Sequence, residues 1–277
     1  MSRLITEDEV ETFWREGVVV LRDALAPDVV DSMAAPVERA LLAPETTDMT
    51  SMRDALADGG MAVLDEDAAV TGAFLSGLDH WIVDADFRRF AVESPLPQLV
   101  RSLLRTTKLH LYEDSVLVKE PGAALPTAMH NDASYFHLTG SQIATTWVPL
   151  DVVDADSGAV TYVAGSHTWN REFRPNYFVS DEPIAGTTGQ PVGDLDGYEL
   201  LSFDTVPGDV IVHHARTVHG ASGNVSARRR RAISIRYCGD DARFEPRPGV
   251  PAKPHHQSYR PGDPLAEPAF PCAWDRP

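Results

Sequence analysis

The hydrophobic pattern of this chain changes period near residue 107, and that change bounds the folds open to it. Before it, apolar residues recur at helical spacing. Thr6-x-x-Glu9 forms a capping box, Val10, Phe13 and Trp14 follow, and Gly17 ends the helix. Val18-Val19-Val20-Leu21 reads as a short buried strand. Pro27 opens a second helical stripe through Val29, Val30, Met33, Val37 and Leu41, with Pro36 an irregularity in it. Residues 43–75 are acidic and weakly patterned, and the expectation is a mobile segment or an irregular helix pair. Residues 81–104 again read as helical, broken near Pro95 and Pro97.

After residue 107 the pattern is that of strands. Leu109–Val118, Gln142–Leu150, Ala159–Val163, Val210–His214 and Ala232–Tyr237 are rich in β-branched residues and bounded by Gly and Pro. Residues 171–200 form a long polar connection of the kind that serves as a lid or binding loop. Helices first and strands after predict an α+β fold with a mainly β core, a sandwich or open barrel with helices on one side. The expected organisation is one domain over 1–277: a helical part to about 106, a strand core at about 107–240, and a Pro-rich tail at about 246–277 draped over the surface.

Composition narrows the function classes. With 41 acidic against 24 basic residues the net charge is −17, which disfavours nucleic acid and anionic membranes as partners. No run of apolar residues is long enough to span a bilayer, and the first residues lack a signal-peptide pattern. A cytoplasmic location is expected, with Cys238 and Cys272 as free thiols.

Every candidate metal ligand falls in the strand-rich block. Two imidazoles and one carboxylate can occupy one face of an octahedral iron and leave the remaining positions open, the ligand set of non-heme Fe(II) oxygenases. In a strand, residues i and i+2 share a face, so His130 and Asp132 of His130-Asn131-Asp132 would aim together and Asn131 away. The third ligand comes from His213, His214 or His219. We choose His219, because Gly220 follows it and lets backbone approach closely, and because an arginine-bearing strand begins shortly after. Along that strand Arg230, Ala232 and Ser234 share one face, and Arg231, Ile233 and Ile235 the other. A guanidinium fork at Arg230 suits a bidentate carboxylate. Arg228 and Arg229 read as a solvated patch, Arg236 as a structural ion pair, and Lys119 as a surface lysine. His137, His167, His255 and His256 read as structural or exposed.

Further motifs stand around this set: Trp147-Val148-Pro149-Leu150-Asp151, Gly165-Ser166-His167, Pro207-Gly208-Asp209 and His219-Gly220-Ala221-Ser222-Gly223-Asn224. In this order, between about 110 and 237, they resemble the phytanoyl-CoA dioxygenase (PhyH) family of Fe(II)/2-oxoglutarate oxygenases. The resemblance implies a double-stranded β-helix (a cupin-like jelly roll) with N-terminal and flanking helices. It implies that His130, Asp132 and His219 bind Fe(II), that Arg230 pairs with the distal carboxylate of the cosubstrate 2-oxoglutarate, and that Thr145 and Trp147 line the cosubstrate pocket. Ala221 stands where some relatives offer a hydroxyl to the cosubstrate, and Ser222 is the expected substitute.

The activity so implied is an O2-consuming hydroxylation of an unactivated C–H bond, with release of succinate and CO2. Asp132 favours hydroxylation over halogenation, since related halogenases carry a small residue there. Desaturation, epoxidation or cyclisation on the same scaffold, acyl-CoA hydroxylation, and a metal-binding sensor with a fossil site are the alternatives. The expected substrate is a small metabolite or natural-product intermediate, in contact with the 43–75 segment and the 171–200 loop. Tyr135, Phe136, Trp169 and Tyr177 offer apolar surface for it.

Overall fold

The computed structural model describes residues 3–65 and 71–275. Six α-helices precede residue 107: α1 Glu7–Glu16, α2 Pro27–Asp31, α3 Ala34–Ala40, α4 Met49–Asp58, α5 Ala85–Glu93 and α6 Leu96–Leu104. The strands are β1 Val18–Leu21, β2 Thr46–Asp48, β3 Phe74–Leu78, β4 Lys108–Lys119, β5 Thr127–His130, β6 Leu138–Thr139, β7 Ile143–Pro149, β8 Val160–Val163, β9 Leu200–Ser202, β10 Val210–His214, β11 His219–Ala221, β12 Arg230–Cys238, β13 Arg243–Phe244 and β14 Cys272–Asp275.

The capping box at Thr6 is present, and Gly17 closes α1 in the left-handed conformation. The stripe from Pro27 to Leu41 is two helices rather than one. Pro36 has no N–H to donate to the carbonyl of Ser32, so the turn breaks there and α3 restarts with Pro36 in its first turn, where the missing donor costs nothing. The 43–75 segment is more ordered than its composition suggested. It holds α4 and the strands β2 and β3, which extend the main sheet; residues 66–70 of it lie outside the described residues.

Among the described residues the strands form two main antiparallel sheets and a two-stranded ribbon of β6 and β13. The larger has the order β1-β10-β7-β12-β4-β3-β2, with β14 also on β4; the smaller has the order β5-β11-β8-β9. Strand alternation gives the large sheet two different faces. Ala144, Val148, Val210, Val212, Ile233 and Ile235 point outward into one core with Phe13, Phe87, Leu99 and Leu103 of the helices. Trp147, Ile211 and Ala232 point inward and meet Val160 and Tyr162 of the small sheet. This mainly β, two-sheet architecture with helices on one side is the expected fold class. The tail is not merely draped on the surface: β14 joins the main sheet, and residues 250–254 line the cavity between the sheets.

Two of the motifs hold the fold. Gly208, in the left-handed region, turns its carbonyl to the amides of Ala24 and Leu25, while Asp209 accepts from the amides of Asp23 and Val206 and pairs with Arg22. Pro207-Gly208-Asp209 therefore clamps the end of β1 to the start of β10. Asn224 is fully buried and donates to the carbonyls of Lys119, Glu120 and Arg228, tying the loop before β12 to the end of β4.

Asp114, on β4, is buried and accepts from the amide of Trp81 at 3.0 Å, fixing the turn that carries Asp79. Burial raises its carboxyl to about 7, only partly countered by that hydrogen bond. The folded chain therefore keeps a proton that the unfolded chain loses near ~3.9. The stability this contributes is full below that value and is lost as pH rises through about 7. Asp114→Asn, which keeps the acceptor, removes this dependence. Urea midpoints of variant and wild type should diverge in the variant's favour from pH 4 to 8, by ~2–4 kcal/mol in all; parallel pH profiles would refute the buried, proton-holding carboxyl.

Candidate metal centre

His130 ends β5, and His219 begins β11 directly opposite it in the antiparallel register. Gly220 permits that pairing: a Cβ there would lie 2.8 Å from the Thr127 carbonyl oxygen and 2.8 Å from Met129 Sδ. Asp132 is not on the strand. It opens a 3₁₀ turn over Asp132–Ser134, capped by Asn131, whose side chain accepts from the Ser134 amide. The turn, rather than strand alternation, aims Asp132 at the same point as His130. Potential ligand atoms of His130, Asp132 and His219 all lie within 4.8 Å of one another, and all three residues are buried.

The protonation states suit a cation. His130 Nδ1 lies 2.7 Å from the Ala128 carbonyl oxygen and His219 Nδ1 lies 3.0 Å from that of Thr217, so each Nδ1 carries the hydrogen and each Nε2 is left free. Burial holds both imidazoles below their usual range, and for His219 the neighbouring His130 and His213 act in the same direction. For Asp132 burial pushes the other way, but Arg236, His213 and His219 outweigh it and hold the carboxyl well below the usual carboxylate range. Two neutral imidazoles and one carboxylate are the states in which these groups bind a metal.

Asp132 is oriented from three strands. Its Oδ2 accepts from the Thr145 hydroxyl on β7, lies 3.2 Å from His213 Nε2 on β10, and is 3.9 Å from Arg236 Nε on β12. Oδ1 faces His219 Nε2 at 3.9 Å, on the side toward the imidazoles. Thr145, expected against a cosubstrate, thus spends its hydroxyl on the carboxylate. Of the alternative histidines, His213 faces inward, whereas His214 points to the helical side, against Phe13, Trp14 and His167. Gly165-Ser166-His167 acts next door: Ser166 Oγ accepts from the Val218 amide at 2.8 Å, which fixes the residue before His219.

Arg230 lies in the same cavity, only 2% exposed, with its guanidinium 5.7 Å from the Trp147 ring centre. Its Nη2 donates to the Gly158 carbonyl at 3.2 Å, and its Nε has no partner. Among the described residues it forms no ion pair. Burial lowers it to about 10. Lys119 pairs with it across β4 and β12 and is fully buried rather than on the surface; its ammonium donates to the carbonyls of Leu125 and Ser222. Stranding a buried cation costs several kcal/mol, more than one carbonyl contact returns. Trp147 Nε1 and Tyr162 OH, on residues lining the same cavity, are also buried without a partner. A cation and two neutral donors without acceptors form a cradle for an anionic group. Ser222 does not contribute: its hydroxyl turns to the Ala155 carbonyl.

The cavity measures about 360 Å³ and its walls are largely apolar. Tyr135 and Phe136 line it as expected; Trp169 and Tyr177 do not. From the long loop it is Phe178 that enters, stacked on Tyr135 at 4.9 Å and edge-on to His130 at 4.7 Å. Met49 and Phe74 bring in the 43–75 segment. Sequence reasoning missed Tyr162, Glu113 and Lys253. Tyr162 alternates inward on a strand already recognised, but its position opposite His219 depends on a register that sequence does not encode locally. Nothing near Lys253 marks it.

Comparison with known proteins gives the family of the chain. The sequence model described as phytanoyl-CoA dioxygenase (PhyH) matches residues 13–232. A probable alpha-ketoglutarate-dependent hypophosphite dioxygenase of Stutzerimonas stutzeri is 29% identical over 136 residues, 48% of this chain and 46% of that protein. The chain thus spans about half the length of that relative. The 1-deoxypentalenic acid 11-beta-hydroxylase of Streptomyces exfoliatus is 26% identical over 226 residues, 79% of this chain and 76% of that one. Among solved structures, the epimerase SnoN in complex with Fe3+, alpha ketoglutarate and nogalamycin RO superposes with a TM-score of 0.72 at 25% identity, covering 96% of this chain and 98% of that one.

Thr145→Val removes the hydroxyl that fixes Asp132 while keeping the shape. Affinity for Co(II), titrated in place of iron, should fall about 10- to 100-fold with no change in fold. Unchanged affinity would mean that Thr145 does not orient the carboxylate.

Proposed function

The chain belongs to the phytanoyl-CoA dioxygenase family, and we propose that it is an Fe(II)- and 2-oxoglutarate-dependent oxygenase. In this reading it hydroxylates an unactivated C–H bond of a small molecule and releases succinate and CO2. The observation that carries the reading is Arg230: a buried guanidinium with no carboxylate partner among the described residues, in one cavity with a His-Asp-His cluster.

His130, Asp132 and His219 would hold Fe(II), their two nitrogens and one oxygen being the donor set of non-heme iron oxygenases. Bound iron supplies the O2 activation that is coupled to cosubstrate decarboxylation. The protein's own share is placement. Thr145, His213 and Arg236 keep one carboxylate oxygen of Asp132 occupied, which leaves the other for the metal. Arg230 would receive the distal carboxylate of 2-oxoglutarate, with Trp147 Nε1 and Tyr162 OH as further donors. Tyr135 and Phe178 wall the His130 side against water. Epimerisation, the activity named for SnoN, or ring formation would use the same ligands and differ only in where the substrate carbon sits.

Anaerobic protein with Fe(II) and 2-oxoglutarate should develop the weak visible charge-transfer band of the chelate. His219→Ala should abolish it. Arg230→Met should weaken 2-oxoglutarate binding on the order of 30- to 1,000-fold, the cost of leaving a buried carboxylate unpaired. Iron binding without any band in wild type would sink the cosubstrate assignment, and no iron binding would sink the metal centre.

A further inference from the structure

Building on that oxygenase reading, the charges around the cavity define what else it takes. Its two ends differ. At one, Arg230 is buried and, among the described residues, without a carboxylate. At the other, both cations are already matched. Lys253 Nζ lies 2.6 Å from Asp79 Oδ2 and 2.6 Å from Glu113 Oε2. Arg236 Nε has no hydrogen-bond partner but lies 3.6 Å from Glu113 Oε1 and 3.9 Å from Asp132 Oδ2, and its Nη1 donates to Ser115 Oγ at 2.6 Å, so its charge faces two carboxylates. Asp79, Glu113, Arg236 and Lys253 all line the cavity. Asp79 enters from the turn before α5, Glu113 from β4, Arg236 from β12 and Lys253 from the C-terminal tail.

The formal charges then close at both ends. Two cations, Lys253 and Arg236, meet two carboxylates, Asp79 and Glu113. At the metal end, Fe(II), Asp132, Arg230 and the 2-oxoglutarate dianion sum to zero; Lys119 lies behind Arg230, off the cavity wall, with its nitrogen on two backbone carbonyls. Between the ends the wall is apolar, with Met49, Phe74, Leu117, Tyr135, Phe136 and Phe178. A volume of about 360 Å³ is near the low end of ligand pockets, ~300–1,000 Å³, and the cosubstrate occupies part of it.

We propose that the prime substrate is an uncharged, largely hydrocarbon molecule about the size of one or two fused rings, and that the chain Asp79–Lys253–Glu113–Arg236 rejects acids, phosphates and amines. A substrate carboxylate or phosphate finds both cations committed, so it must break an existing pair or remain buried without a partner. An ammonium group meets two carboxylates already bridged by Lys253. A neutral ring needs no counterion and gains contact along the aromatic wall. Selectivity here comes from charges that cancel one another before the substrate arrives.

The test uses full-length protein loaded with Zn(II), which prevents turnover, and saturated with 2-oxoglutarate so that Arg230 is occupied. Binding of 2-naphthol and 2-naphthoate, one neutral and one anionic bicycle, is measured by calorimetry. Wild type should bind 2-naphthol at least about tenfold more tightly. Glu113→Gln leaves one cationic charge in excess and should shift the ratio by about tenfold toward 2-naphthoate. If that variant does not fold, Lys253→Met runs the test with opposite sign, and 2-naphthylmethylamine should gain about tenfold on 2-naphthol. Naphthoate bound as tightly as naphthol by wild type, a ratio unmoved by the variant, or no binding of either bicycle would each overturn the proposal. A preceding titration of 2-oxoglutarate reads the oxygenase assignment separately; should it fail, the naphthalene pair is compared on Arg230→Met protein, which lacks the open cation.

Discussion

The carboxylate of Asp132 is the junction on which the site depends. Left alone, burial would protonate it, and a protonated acid is a poor metal ligand. Contacts from β7, β10 and β12 prevent this through Thr145, His213 and Arg236. Those three strands are adjacent in the large sheet, and each places its inward side chain at the same level. The register of the sheet and the ionisation of the site are therefore one constraint: sliding β12 by a single residue would exchange Arg236 and Arg230 for residues of the helical face. The small sheet supplies the two imidazoles, the large sheet the support for the carboxylate.

Arg230 and Arg236 show how position decides the role of like side chains. They lie on one strand and one face. Arg236 has Glu113, Ser115 and Asp132 around it, so its charge is consumed within the protein. Arg230 has a carbonyl and an aromatic ring, so its charge is left unmatched by the described residues. Lys119 completes the contrast. Burial and the neighbouring Arg230 hold it well below its usual range, and its ammonium nitrogen is engaged by two backbone carbonyls.

Much of this was legible in the sequence, for identifiable reasons. Elements with strong local signals were readable: the capping box of α1, the β-branched run of β12, and the inward alternation of Arg230, Ala232 and Ser234. The candidate cluster of His130, Asp132 and His219 could be picked out because it stands beside turn motifs with a structural task of their own, Ser166 and Gly220 in particular. Features set by tertiary pairing were not. Asp132 reads as part of a strand because nothing in His130-Asn131-Asp132 announces the turn that Asn131 caps. The 43–75 segment looked irregular because β2 and β3 gain their order from β4, not from their own composition. Thr145 was recognised but its partner was not, since the partner depends on the distance between β7 and the turn after β5. Lys253 was invisible, because its carboxylates come from residues 79 and 113 and the intervening chain carries no pattern that brings them together.

The pairing of β1 with β10 also bears on how the molecule is made. β1 is a run of four apolar residues at the edge of the large sheet, and its partner, Val210–His214, comes far later in the chain. At ~5–20 residues per second, a ribosome needs on the order of ten seconds or more between the two. During that interval Val18–Leu21 has left the exit tunnel without the strand that covers it. An unpaired hydrophobic edge invites association with other nascent chains, and α1, at 10 residues too short to hold on its own, gains its order together with β1 only when the sheet that both pack on is complete.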